Sequence, residues 1–179
     1  SNSFMAKIKH LLNRMPWYWD KEKLDMWIDV EKSKLEEEVK PYTHHPFSYF
    51  KSISKHPLVK WADIIHLHWV PDFVDYPTFF KEVKKPMVWT LHDAYPAVGL
   101  LHYCSKFHPV PKGLNAVDVF CRKIKRASVC KAKDLHIVAI SEIMNEICIN
   151  SDVLKGFPVA KIHNGVDADI FHPYKKNEV

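Results

Sequence analysis

The chain reads as an α/β protein, a parallel sheet with flanking helices, and three observations predict it. Short apolar runs of strand formers lie at 62–70, 86–92, 135–140 and 159–163. Amphipathic stretches of helical period separate them. Strand, helix, strand at this spacing is a crossover unit, so the strands should run parallel and lie side by side or nearly so.

Taken in order, Ser1-Asn2-Ser3 reads as a cloning scar, and 4–61 as a helical N-terminal region. Met15 to Trp19 is an aromatic-rich loop whose rings cover apolar surface. Leu24, Trp27, Ile28, Leu35 and Val39 recur at helical spacing, which predicts a helix from an Asp20 cap to Val39, stopped by Pro41. A short helix is expected over 46–55, with Phe47, Phe50 and Ile53 on one face.

The strand at 62–70 carries His66 and His68 on one face, with Ile65, Leu67 and Trp69 on the other. His66 is expected to be buried with its ring nitrogens hydrogen-bonded, since an unpaired ring would cost a few kcal/mol, of order ~2–3. His68, nearer the carboxyl end, is the better binding candidate. A helix over 76–85 should turn Phe79, Phe80 and Val83 inward, and the strand at 86–92 follows. After a loop, a helix over 114–131 leads to the strand at 135–140, and Ser141 can cap a helix over 142–149. The strand at 159–163 ends in the turn Asn164-Gly165, and a capped turn at 166–173 should pack Phe171 back on the domain.

Composition narrows the class. At 179 residues the chain is one domain in size, and 47% hydrophobic with 26% charged residues is ordinary globular composition. Apolar runs fall short of the ~20 residues that a membrane span needs. Neither a signal peptide nor a span is expected, so the compartment read from the sequence is the cytoplasm. Net charge is +5, a mild excess that suits phosphate-bearing ligands or an anionic membrane surface better than nucleic acid. The basic cluster Arg122, Lys123, Lys125 and Arg126, with Lys131 and Lys133, is foremost a solvated helix face, with peripheral docking at the inner face of the plasma membrane as its functional alternative.

Cys104, Cys121, Cys130 and Cys148 contain no C-x-x-C pair, so reduced cysteines are expected rather than structural zinc. Convergence of Cys104, His108, Cys121 and Cys130 is the weaker alternative. No metal and no cofactor is assigned. With four glycines there is no G-x-G-x-x-G, no P-loop and no G-x-S-x-G elbow.

The strands finish in turn at His68, His92, Ser141 and Asn164. Ligands of open parallel sheets bind outside the carboxyl ends of the strands, which makes that rim the expected site. His92 and Asp93, directly after an apolar strand, are the first candidates. A turn-stabilising hydrogen bond is the structural alternative for such a pair.

The ordered set Ala62-Asp63-Ile64-Ile65-His66-Leu67-His68-Trp69, Lys85 to Asp93, Val138 to Glu142 and Ile162 to Asp167, with Phe171 and Pro173, resembles the N-terminal domain of family 4 glycosyltransferases of GT-B architecture, especially polysaccharide-building bacterial members. The resemblance spans roughly 46–174. It implies a Rossmann-like acceptor-side domain over 62–173, with 174–179 opening a linker to a second domain. It further implies a retaining transfer of a sugar from a nucleotide-sugar donor to a saccharide or lipid-linked acceptor hydroxyl. His92 matches the histidine that faces the transferred sugar, with Asp93 fixing its tautomer or touching the acceptor. Asn164, Gly165 and Asp167 match the N-G-[VI]-D motif that turns toward the second domain, and Ser141 and Glu142 a cleft-rim loop. His102-Tyr103 also has family counterparts. The family's opening strand with its glycine-rich loop, and its donor-binding domain, have no counterpart here, so the chain is expected to be a fragment, inactive alone. The rival expectations are a sugar-nucleotide epimerase of the same architecture and a stand-alone carbohydrate- or lipid-binding module.

Overall fold

A computed structural model describes residues 19–36, 41–103 and 109–172. Val39, Cys104, His108, Pro173, most of the stretch at 15–19, and the residues expected to be a cloning scar (1–3) and a linker (174–179) lie outside them. The elements run α1 (Lys21–Lys32), α2 (Pro57–Trp61), β1 (Ile65–Leu67), α3 (Tyr76–Glu82), β2 (Pro86–Leu91), α4 (Asn115–Val129), β3 (Asp134–Ala139), α5 (Glu142–Asn150) and β4 (Val159–Lys161).

All four strands are parallel and lie in the order β1-β2-β3-β4. The expected α/β class is therefore present. Because each right-handed crossover steps the same way, the connecting helices fall on one face of the sheet. The core confirms the one-sidedness: Leu67, Met87, Trp89, Leu91, Leu135, Ile137 and Ala139 pack against Phe79 and Phe80 of α3, Val129 of α4, and Met144 and Cys148 of α5. The opposite face presents His66 and His136 exposed, with Val88, Thr90 and Val138 half-buried. Parallel sheets usually bury both faces. Among the described residues nothing lies in that second layer.

A second cluster forms where α1 meets the outer side of α4. Leu24, Trp27 and Ile28 pack on Leu114, Val117, Phe120, Cys121 and Ile124. Fully burying an aliphatic or aromatic side chain is worth about 1.5–3 kcal/mol, so this face alone accounts for the docking of α1. Asp20 caps the helix by accepting from the Lys23 amide at 3.0 Å.

Several elements differ from expectation for local reasons. The first helix ends at Lys32, not Val39: Leu35 reaches the second cluster from a turn, so the apolar period continues where the helix does not. Over 46–55 only a 3₁₀ turn at Ile53–Lys55 forms. There the Ser48 amide donates to Asp75, the cap of α3, at 3.1 Å, and the Tyr76 amide to the Pro46 carbonyl at 2.9 Å, which ties 46–48 to the start of α3. Phe50 is left exposed. The run at 62–70 pairs over three residues only, because the backbone leaves the sheet at His68, whose carbonyl accepts from Trp89 Nε1 at 2.9 Å. His66 is exposed rather than buried, on the open face, with Nε2 2.9 Å from the Thr90 hydroxyl. Phe171 is exposed too, on a turn closed by Asp167 rather than packed on the domain.

One glycine is fixed by crowding. A Cβ on Gly99 would lie 2.2 Å from Oδ1 of buried Asp118 and 2.4 Å from its carbonyl oxygen. That Oδ1 accepts from the Leu100 amide at 2.9 Å, while Oδ2 takes Arg122 at 2.6 Å. Gly99→Ala should therefore break the junction between the 95–101 loop and α4, costing about 2–4 kcal/mol in a guanidinium unfolding curve. An unchanged midpoint would contradict this packing.

Candidate functional site

The parallel register carries the carboxyl ends of β1 to β4, and hence His68, His92, Ser141 and Asn164, to one edge of the sheet. His92 is exposed, with Nε2 2.9 Å from Nδ1 of His68 and the rings stacked at 23°. His66 adds a third ring 4.1 Å from His68. Slight desolvation and then the neighbouring imidazoles hold the His68 pKa below the usual histidine range. Ser141 caps α5 through the Met144 amide at 3.2 Å. Glu142, exposed beside it, is paired with Lys161, whose ammonium lowers its pKa. Asn164 and Gly165 are exposed, and Asp167 closes its own turn by accepting from the amides of Asp169 and Ile170 at 3.0 and 3.3 Å. Asp167 thus has a structural role in addition to any at the rim.

Asp93 departs from its expected role. It does not touch His92 but turns inward, is buried, and accepts from the Tyr95 amide at 3.0 Å. Its other oxygen lies 2.6 Å from Nδ1 of buried His102. His102 Nε2 is 2.6 Å from Nδ1 of His44, and His44 Nε2 is 3.0 Å from Oδ2 of Asp72. Two hydrogen-bonded links, Asp93 to His102 to His44, are thus followed by an ion-pair contact of His44 with the exposed Asp72 side chain. Desolvation lowers the His44 pKa, with the Asp72 carboxylate opposing and the His102 charge adding to it.

Three backbone segments make the chain possible. Thr43 bridges Leu101, and the His44 amide donates to the Leu100 carbonyl at 3.0 Å. The Ala94 amide donates to the His102 carbonyl at 2.9 Å, and the Ser48 hydroxyl to the Asp72 carbonyl at 2.5 Å. Sequence reading reached Asp93 and noted His102, but missed His44 and Asp72. His44 sits in an ordinary-looking Thr-His-His-Pro loop and Asp72 in a Pro-Asp turn, and only tertiary pairing distinguishes them.

Behind the chain stands Lys125. It is fully buried, not part of a solvated face: Nζ donates to the carbonyls of Tyr95 and Val98 at 2.6 and 3.0 Å and lies 3.3 Å from the centre of the Tyr95 ring. That ring stacks on His102 at 5.2 Å and 16°. Of the other cations in the basic cluster, Arg122 is held by Asp118 and Arg126 by the carbonyls of Val153 and Lys155. The free basic face expected for membrane docking is correspondingly reduced.

No group of three or more histidine, cysteine, aspartate or glutamate side chains is placed to hold a metal among the described residues. Cys121 and Cys148 are buried free thiols, and Cys130 is an exposed one. Burial pushes the Cys148 thiol up to about 11. Among the described residues no helix is long and apolar enough to cross a membrane. Compared with known proteins, the chain matches no family model, no curated sequence and no solved structure.

Burial lowers the Lys125 pKa to about 7, so between pH 7 and its ordinary value of 10.5 the unfolded chain binds the proton that the folded chain has lost. This group therefore makes stability rise with pH over that window, and its cost is fully present below pH ~7. Urea unfolding at pH 7, 8 and 9 should show Lys125→Met with a smaller rise than wild type. Parallel profiles would contradict the buried amine.

Proposed function

We propose that this chain is the acceptor-side domain of a glycosyltransferase, one that moves a sugar from a nucleotide-sugar donor to a saccharide or lipid-linked hydroxyl in surface polysaccharide synthesis. The observation that carries the reading is the exposed His92 imidazole on the strand-end lip, in line with Ser141 and Asn164. The ordered motifs around these residues support it. Breaking an anomeric carbon–phosphate bond needs stabilisation of oxocarbenium character and of the leaving diphosphate. A rim imidazole can donate a hydrogen bond to either the sugar or the phosphate. His68, whose Nδ1 faces His92 Nε2, fixes which ring nitrogen of His92 is left for the ligand. A second α/β domain would supply the nucleotide contacts, and membrane contact would come through a lipid-linked acceptor.

In the full-length protein, His92→Ala should lower sugar transfer about 100-fold. Because the ring is exposed, thermal stability should move by less than about 0.5 kcal/mol. Unaltered transfer by a folded His92→Ala protein would remove His92 from the site.

A further inference from the structure

Two exposed rings rest on the buried histidines. The Trp69 ring lies 6.0 Å from that of His102 at 29°, and the Tyr42 ring 5.6 Å from it at 33°. Both meet His44 edge-on, at 84° and 82°. The two rings therefore share an inclination, close to the plane of His102 and across that of His44. His102 and His44 are buried, whereas Trp69 and Tyr42 are 54% and 73% exposed, so the histidines support the rings from within and solvent meets them from without. Buried Tyr95, stacked on His102 at 16°, stiffens that support. Aromatic rings held in this way present an apolar plane at a fixed angle.

Beside the plane stands a carboxylate. Asp72 Oδ2 faces His44 Nε2 at 3.0 Å, and Oδ1 lies 3.4 Å from Lys21 Nζ. Each carboxylate oxygen has two lone pairs and the side chain is 52% exposed, so both oxygens keep a lone pair for a ligand's donor. The backbone holds this group in place: Asp72 sits at φ 57°, and its carbonyl accepts from the Ser48 hydroxyl at 2.5 Å. Lys21 carries the surface onward. Its Nζ lies 5.4 Å from the centre of the exposed Tyr49 ring, and both residues line a hollow of about 220 Å³ with Glu22, Ser48 and Lys51. At the other end, Trp69 directly follows His68, whose Nδ1 is 2.9 Å from His92 Nε2. A path of ring, carboxylate, ammonium and ring thus leaves the strand-end lip.

That alternation fits a sugar chain. The C–H face of a pyranose lies on an aromatic ring, while its hydroxyls donate to a carboxylate and accept from an ammonium. An acyl chain fits poorly, since seating it here would strip water from Asp72 and Lys21 without a hydrogen bond in return. We propose that this path is a saccharide-binding track of two units: one sugar ring stacked on Trp69 and Tyr42 with its hydroxyls on Asp72, and the next in the hollow against Tyr49. The inference rests on the transfer reading above and deepens it: the acceptor is an oligosaccharide recognised by its sugars, whether or not a lipid is attached. The track binds and orients the acceptor and takes no part in making or breaking bonds.

Isothermal titration of the full-length protein tests the track without requiring turnover. The probes are free mono- and trisaccharides of glucose, mannose, galactose and N-acetylglucosamine, with the octyl glycosides of the trisaccharides. At least one free trisaccharide should bind, and its octyl glycoside should bind within about twofold of it. Trp69→Ala and, at the more exposed ring, Tyr42→Ala should each weaken that trisaccharide about tenfold. Tyr49→Ala should weaken it about fivefold while leaving the matching monosaccharide within about twofold. In a transfer assay Trp69→Ala should raise the acceptor KM about tenfold with the donor KM within about twofold. No binding by any free trisaccharide, binding by the octyl glycosides alone, or affinities untouched in both Trp69→Ala and Tyr42→Ala would overturn the track. Loss of monosaccharide and trisaccharide binding alike in Tyr49→Ala, or of neither, overturns the second unit. Trisaccharide binding that depends on Trp69 and Tyr42, in a protein that transfers no sugar, upholds the track and overturns its acceptor role together with the transfer reading.

Discussion

The constraint on which the rest depends is the uniform direction of the sheet. Four parallel strands in sequential order can be joined only by crossovers that step the same way, and their handedness places the helices on one side. The same geometry sends every strand's carboxyl end to a single edge. The residues with chemistry near that edge therefore come from loops far apart in sequence, on a base whose buried face is tightly packed with Trp89, Phe80 and Tyr76. The other face carries His66, Thr90 and His136, and nothing among the described residues covers it.

Polar groups at the edge divide into two sets with different physics. His68, His92, Asn164 and Glu142 are exposed and cheap to solvate, with His68 paired to His92 and Glu142 to Lys161. Asp93, His102, His44 and Lys125 are buried, and each is matched by a partner because an unmatched buried charge would cost several kcal/mol, roughly 3–5. Lys125 reads the carbonyls of the 95–98 turn, Tyr95 lies between it and His102, and His102 joins Asp93 to His44. Among the described residues this buried network meets solvent at Asp72.

Much of the fold was legible in the sequence because the apolar runs and their stops obey local rules. The strand at Pro86–Leu91, the helix at Asn115–Val129 and the Ser141 cap lie within a residue or two of where periodicity and capping put them. The misreadings share a cause: tertiary partners outcompeting local preference. Leu35 reaches the core without a helix, and 46–48 is tied to the start of α3 by its hydrogen bonds with Asp75 and Tyr76. His66 is exposed because nothing among the described residues covers its face of the sheet, which no pattern inside 62–70 could reveal. Asp93 was legible as a site candidate but not its direction. Its partner His102 is nine residues on, and the next, His44, is 58 residues from His102, a pairing that no local spacing encodes.

The most direct test of the central claim, that ligands meet this protein at the shared strand-end edge, is amide chemical-shift mapping during titration with a saccharide acceptor and a nucleotide-sugar. The account predicts perturbations gathered at 68–72, 92–93, 141–142 and 164–165. Perturbations confined to the opposite edge, around Pro86 and Asp134, or to the outer face of α4, would contradict it.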